Sequence, residues 1–244
     1  MKRLCILLVL LALVILAFIF KPYISAAVSP ITMKFTNRKT VTERLQQYGD
    51  AARARLKPYF DEAHVSYPPK SVVLVGLKAE YELQVYVPDE QGAQKFVRAY
   101  PILGGSGVPG PKLREGDQQV PEGIYPIELL NPNSLYHLSL RIGYPNAFDR
   151  EQAKKDGRKN LGGDIMIHGG AASVGCLAMG DEAAEDLFVL AADCGITNIT
   201  VILTPVDFRA GKKVASVAAL PEWNGPLYEQ IKERLAELPV QETK

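Results

Sequence analysis

The stretch Ile167-His168-Gly169-Gly170-Ala171-Ala172-Ser173-Val174-Gly175-Cys176 places a histidine and a cysteine eight positions apart. The residues between them are small, so this segment can fold back and bring an imidazole to a thiol. A thiol beside an imidazole can ionise near neutral pH, and the thiolate is the nucleophile. The glycines permit close backbone approach or a positive φ, and the amide of Cys176 is a candidate donor to an oxyanion.

Other interpretations of the same cysteine remain open. A free cysteine is most often a small buried hydrophobe, and a Cys176–Cys194 disulfide is possible in an oxidising compartment. Cys194 lies at helical spacing from apolar residues, which favours a packing role. A metal site would need a third ligand, and neither His64 nor His137 has ligand spacing with His168 and Cys176. We therefore expect no metal and no cofactor, and we expect His137 to be structural.

Composition sets the class of protein. The chain has 244 residues, of which 47% are hydrophobic and 23% charged, and its formal net charge is +1. This is ordinary for a globular protein with one domain-sized core. A chain without a basic excess or a long basic run is not expected to bind nucleic acid.

The N-terminus predicts export. Met1-Lys2-Arg3 precedes an uninterrupted apolar run from Leu4 to Phe20, which is typical of a signal peptide or a membrane anchor. The small residues Ser25-Ala26-Ala27 suit cleavage, whereas Lys21-Pro22 suits an uncleaved anchor in the inner membrane. In both cases the globular part is expected in the periplasm or cell envelope, with membrane contact only through residues 1–27.

Hydrophobic periodicity predicts a mainly β domain of the α+β class. A helix over 41–63, kinked or split by Pro58, is followed by an antiparallel meander over 72–102 and a Gly/Pro-rich loop over 104–122. Further strands are expected at 123–129, 136–142 and 165–167, with a polar loop over 149–163. A helix over 181–193, a strand over 199–203 that closes the sheet, and a helix over 227–238 complete the pattern.

These elements divide the chain into four parts. Residues 1–27 form the signal peptide or anchor, and residues 28–69 form a helical stalk or N-terminal helix. Residues 70–205 form the catalytic domain, and residues 206–244 form an extension with an amphipathic helix.

The pattern His168-Gly169, Ser173-x-Gly175-Cys176 resembles the signature of the YkuD-type L,D-transpeptidases. The blocks at 110–125 and 144–149 are similar to the YafK-like branch of that family. The resemblance implies a β-sandwich or barrel with flanking helices that acts on peptidoglycan stem peptides. It also implies that Cys176 is the nucleophile and His168 the general base, with Gly169, Ser173 and Gly175 in support. In this family a backbone carbonyl often orients the imidazole.

One position departs from the family. Most members have an arginine two residues after the cysteine, and it helps to hold the substrate, whereas this chain has Ala178. Another cation would have to replace it. The candidate substrate-binding residues are Lys112, Arg114 and Arg141, together with Tyr125.

The predicted reaction is acyl transfer through a Cys176 thioester. An amine acceptor would give an L,D-transpeptidase, with stem peptides and an envelope protein attached to peptidoglycan as candidate partners. A water acceptor would give an L,D-amidase or carboxypeptidase. A non-catalytic, envelope-anchored peptidoglycan-binding module is the alternative of another class, and it requires an inert or disulfide-bonded Cys176.

Overall fold

The computed structural model describes residues 38–214 and 220–241. The predicted targeting segment, residues 1–27, lies outside them. The described elements, in chain order, are α1 (Val41–Glu62), β1 (Val72–Leu77), β2 (Glu82–Pro88), β3 (Gln94–Pro101), β4 (Gly123–Ser134), β5 (His137–Ile142), α2 (Ala147–Lys155), β6 (Met166–His168), β7 (Leu177–Ala178), α3 (Asp181–Cys194), β8 (Ile199–Thr204) and α4 (Asn224–Ala236). No helix among these residues is both long enough and apolar enough to span a bilayer.

The eight strands form one mixed sheet in the order β3-β2-β1-β8-β4-β5-β6-β7. Strands β1, β2 and β3 form the predicted antiparallel meander. A bridge between Gly104, just after β3, and Ala178 of β7 joins the two ends of the sheet, so the strands curve into a barrel-like closure. The α+β class with a curved sheet and flanking helices is therefore confirmed.

Strand β8 was expected to close the sheet, and that prediction is wrong. It lies in the middle of the sheet, parallel to β1 and antiparallel to β4. Its position follows from burial, since five of its six residues are inaccessible to solvent. A strand with apolar neighbours on both faces is more stable at the centre of a sheet than at its edge.

The sheet carries a core on each face. Along β1, Val72 and Leu74 join the cluster that contains α1 and α3, whereas Val73 and Val75 join the cluster that contains α4. Burial on both faces explains why β1 reads as a continuous apolar run rather than an alternating one.

Two local predictions are corrected by the structure. Residues 149–163 were read as a polar loop, but α2 occupies Ala147–Lys155, because Asn146 and Asp149 form a reciprocal capping box at its start. Pro58 was expected to kink or split the first helix, but it does not split α1, which runs from Val41 to Glu62 with Pro58 inside it. Ala54, whose carbonyl would pair with residue 58, is exposed, so water can satisfy that carbonyl.

Candidate active site

Strands β6 and β7 bring His168 and Cys176 to the same side of the sheet. The two strands are parallel neighbours in which His168 pairs with Ala178. Side chains alternate along a strand, so Cys176, two residues before Ala178, points to the side that His168 faces. The amide of Met166, two residues before His168, donates to Sγ of Cys176 at 3.3 Å. His168, the predicted base, thus ends β6, and Cys176, the predicted nucleophile, immediately precedes the adjacent strand β7.

The Cys176 thiol is half-buried, and its surroundings disfavour the thiolate. Burial is the largest influence and raises its pKa above the usual value. The nearby charge of Asp164 raises the pKa further, whereas the Met166 amide and the charge of Lys112 lower it. The thiol points to the carbonyl of Asp164 at 3.6 Å. A base is therefore needed to form the thiolate.

No disulfide joins the two cysteines of the described residues. Both Cys176 and Cys194 are free thiols, and Cys194 is buried at the end of α3. The disulfide alternative is thus absent from this structure.

His168 is fixed by its own neighbour. Its Nδ1 donates to the carbonyl of Gly169 at 2.6 Å, which leaves Nε2 without the proton and free to accept one. The ring is only 3% exposed. The ring of Tyr136 covers it, with centroids 4.7 Å apart and the planes inclined by 32°.

The backbone amides expected to bind an oxyanion are held by serine hydroxyls. The amide of Cys176 donates to Oγ of Ser173 at 3.0 Å, and the amide of Gly175 donates to Oγ of Ser106 at 2.7 Å. An incoming oxyanion would take the place of these hydroxyls. Sequence reasoning did not find Ser106, and the only sign of it was its position in the Gly-rich loop. That loop segment lines a cavity of about 180 Å³.

Close packing explains why a glycine follows the histidine. A Cβ on Gly169 would lie 2.5 Å from Oδ1 of Asp181 and 2.8 Å from the carbonyl oxygen of Tyr136. Such distances are too short for any side chain, so alanine cannot be accommodated without a shift. Gly175, at φ +82°, occupies a conformation that side chains rarely adopt.

Among the candidate cations, Arg141 is brought to the site. It pairs with Met166 across β5 and β6, in the same row of side chains as Cys176. Its guanidinium lies 3.5 Å from the carboxylate of Asp164 and 3.6 Å from that of Glu128. Because the Cys176 thiol also approaches Asp164, Arg141 provides a half-exposed positive charge near Cys176.

The other predicted substrate-binding residues are placed differently. Lys112 is buried, and its Nζ binds Asp117 at 2.6 Å and the carbonyl of Arg114. The Arg114 side chain is exposed on the same loop. Tyr125 lies in the core with its hydroxyl donating to the carbonyl of Glu122, which places it away from any substrate.

His137 has a structural partner in Glu185 of α3. Its Nε2 lies 2.9 Å from Oε1 of Glu185. Within residues 38–214 and 220–241, no three His, Cys, Asp or Glu side chains lie close enough to hold a metal ion.

Comparison with known proteins identifies the family of this chain. The YkuD L,D-transpeptidase catalytic domain matches residues 70–206, more than half of the chain. The protein named "Putative L,D-transpeptidase YafK" from Escherichia coli strain K12 is 38% identical over 114 residues, which are 46% of this chain and 43% of the relative. The same identity and coverage hold for its counterpart in strain O157:H7. The match thus spans less than half the length of these relatives.

Two solved structures show weaker similarity. The helical cell shape determining protein Pgp2 from Campylobacter jejuni is 23% identical with a TM-score of 0.45, over 60% of this chain and 50% of that one. Bd1075 from Bdellovibrio bacteriovorus is 19% identical with a TM-score of 0.41, over 68% and 56% of the two chains. The match over residues 70–206 includes both His168 and Cys176, and by that match the chain belongs to the YkuD family of L,D-transpeptidase catalytic domains.

Proposed function

We propose that this chain transfers acyl groups of peptidoglycan stem peptides through a thioester on Cys176, with His168 as general base. The observation that supports this most directly is the contact between β6, which ends at His168, and Cys176, which immediately precedes the parallel neighbour β7: the Met166 amide donates to Sγ of Cys176 at 3.3 Å. The His168 ring has its Nδ1 committed to Gly169, so its Nε2 is the atom that can receive a proton. The family as a whole acts on peptidoglycan, which gives the class of substrate.

The first half of the proposed reaction forms the thioester. Nε2 of His168 takes the proton from Sγ of Cys176, and the thiolate attacks the carbonyl carbon of a diaminopimelate residue. The negative charge that develops on the carbonyl oxygen is stabilised by the amides of Gly175 and Cys176 after the serine hydroxyls withdraw. The carbon–nitrogen bond then breaks, and the departing amine takes the proton from His168.

The second half returns the thiol. A side-chain amine of a second stem peptide, or of an envelope protein, attacks the thioester carbonyl and gives up a proton to His168. The carbon–sulfur bond breaks, an amide forms, and Cys176 recovers its proton. Arg141 is proposed to bind a carboxylate of the substrate in place of the arginine that most family members carry at the position of Ala178.

Hydrolysis of the same Cys176 thioester by water is the second candidate function. It is favoured by Ala178, which is fully buried and bonded through its backbone to Gly104. A buried methyl group offers no charge with which to hold an amine acceptor, and water needs no such site. The free thiol of Cys176 argues against the non-catalytic module.

The proposed place of action is the periplasmic side of the cell envelope. The basis is the basic start Met1-Lys2-Arg3 and the apolar run that follows it. Fractionation of cells that produce the full chain would place the protein, and recovery from the cytoplasm would contradict the proposal.

Incubation with purified muropeptides, followed by mass spectrometry, tests the function. Crosslinked dimers from the parent protein support transfer, and released fragments without dimers support hydrolysis. Cys176→Ala should abolish both products. Cys194→Ala is the matched control, because it removes a buried thiol away from the site and should keep the activity. A parent protein that yields neither product would contradict both enzymatic functions.

A further inference from the structure

Tyr136 lies in the tight turn between β4 and β5 and covers the imidazole of His168. The tyrosine is 51% exposed, whereas the histidine beneath it is 3% exposed. Their ring centroids are 4.7 Å apart and the ring planes are inclined by 32°, so the two faces meet at a tilt. Neither the sequence pattern nor the family match assigns a role to this tyrosine. It is the ring that separates one face of the base from solvent.

The turn that carries Tyr136 is stabilised by a hydrogen bond inside the turn and by contacts with the two glycines that follow β6. The amide of Tyr136 donates to Oγ of Ser134 at 3.1 Å. Its carbonyl oxygen packs so closely on Gly169 that a Cβ there would come within 2.8 Å. The ring meets the next glycine, since a Cβ on Gly170 would lie 3.7 Å from Cδ1 of Tyr136. The tyrosine therefore contacts the segment that carries His168 through both backbone and side chain.

Two helices fix the other end of the turn through His137. Its Nε2 lies 2.9 Å from Oε1 of Glu185 in α3, and the other oxygen of that carboxylate binds Arg55 of α1 at 3.0 Å. The ring of Tyr48, also in α1, packs edge-on against the same histidine at 5.0 Å. A short exposed turn is thus anchored to the helical layer, and the position of Tyr136 is fixed with it.

We propose that Tyr136 is a positioning residue that holds the His168 imidazole with Nε2 toward Cys176 and stabilises the imidazolium that forms when His168 takes the thiol proton. The hydrogen bond to Gly169 fixes one atom of the ring, and a stacked aromatic face prevents the ring from turning about that bond. The negative face of a tyrosine ring also attracts a cation that lies over it. The inference rests on the function proposed above.

Kinetics of three variants on purified muropeptides test the role. Tyr136→Ala is expected to lower kcat by about 5- to 10-fold with KM unchanged, the size of effect that one aromatic contact produces. Tyr136→Phe keeps the ring and should retain activity. Leu135→Ala is the matched control, since this neighbour in the same turn is 98% exposed, and it should behave as the parent.

The three histidines of the chain provide a second measurement that needs no substrate. The stacked tyrosine shifts the imidazole proton signals of His168 by its ring current. In a histidine-labelled sample these signals should move in Tyr136→Ala and stay in Tyr136→Phe and Leu135→Ala. Signals that do not move in Tyr136→Ala would overturn the contact itself.

The kinetic outcomes separate the inference from the function on which it rests. An active parent with a Tyr136→Ala variant within twofold of Leu135→Ala would overturn the inference alone. A higher KM at unchanged kcat would make Tyr136 a substrate contact and also overturn the positioning role. A parent that converts no muropeptide would overturn the proposed function and this inference with it.

Discussion

Nδ1 of His168 donates a hydrogen bond of 2.6 Å to the carbonyl oxygen of Gly169, the next residue in the chain. In many nucleophilic enzymes a carboxylate holds the base in this way. Here a backbone group does so, which matches the orientation that the family resemblance implied. The carboxylate of Asp181, at the start of α3, accepts a hydrogen bond of 2.8 Å from the amide of Gly170 instead.

The first prediction compares the loss of kcat when His168 is removed with the loss when the carboxylate of Asp181 is removed. His168→Ala should lower kcat by about 10²- to 10⁴-fold, because general base catalysis contributes that much. Asp181→Asn keeps an oxygen that can accept from Gly170 and should lower kcat by less than about tenfold. Turnover of muropeptides measures both. Equal losses would mean that Asp181, and not the Gly169 carbonyl, orients the base.

The second prediction concerns the protonation of the nucleophile. Because burial raises the pKa of Cys176, its alkylation by iodoacetamide at pH 7 should be slower than that of free cysteine and should keep rising with pH past 9. Asp164→Asn removes the negative charge that raises this pKa, so it should speed alkylation at pH 8. Mass spectrometry of the Cys176 peptide follows the rate and separates it from Cys194. A rate already constant at pH 7 would indicate a thiolate in the resting protein.

A third prediction addresses the cation beside the nucleophile. If Arg141 binds a substrate carboxylate, Arg141→Ala should raise KM for muropeptides by about tenfold, the loss expected for a charge-assisted hydrogen bond at a half-exposed site. The KM of Arg141→Lys should lie between those of the parent and Arg141→Ala, because lysine keeps the positive charge without the two-pronged guanidinium geometry. Arg150→Ala, an exposed cation of α2, is the control. An unchanged KM in Arg141→Ala would remove Arg141 from substrate binding.

The fourth prediction tests the close packing after the histidine. Gly169→Ala should destabilise the fold by about 1–3 kcal/mol, because the new Cβ would overlap Asp181 and Tyr136. Gly163→Ala is the matched control, since the nearest atom to its Cβ would be 3.9 Å away. It should stay within about 0.5 kcal/mol of the parent. Urea denaturation gives both free energies of unfolding, and similar values for the two variants would contradict the steric argument.

Much of this site was predictable because its parts are local in sequence. His168 and Cys176 lie eight positions apart, and a strand, small residues and a helix start surround them. The apolar run of β1 and the stripe of α3 likewise predicted their own elements, since burial on a fixed face imposes a period on the sequence.

Other contacts could not be predicted, because they depend on the path of the chain. Ser106 meets Gly175 across 69 positions, and His137 meets Glu185 across 48. Nothing in either local segment encodes the partner. Helix α2 was missed for another reason. It is short and polar, so its apolar period is weak, and its capping box lies at the edge of a segment that reads as loop.

The last prediction is a dependence of stability on pH that arises from Asp149 in α2. Burial raises its pKa from the ordinary value of 3.8 to about 6. Between these two values the folded state binds the proton and the unfolded state does not. The free energy of unfolding should therefore fall as pH rises from about 4 to 6, by about 3 kcal/mol in total from this group.

Asp149→Asn cannot ionise and should lose this part of the dependence, whereas Glu151→Gln, at an exposed position in the same helix, should retain it. Urea denaturation at pH 4.5 and pH 7 measures the difference. A parent protein whose stability is the same at both pH values would contradict the raised pKa of Asp149, and so would an Asp149→Asn variant whose stability falls as much as that of the parent.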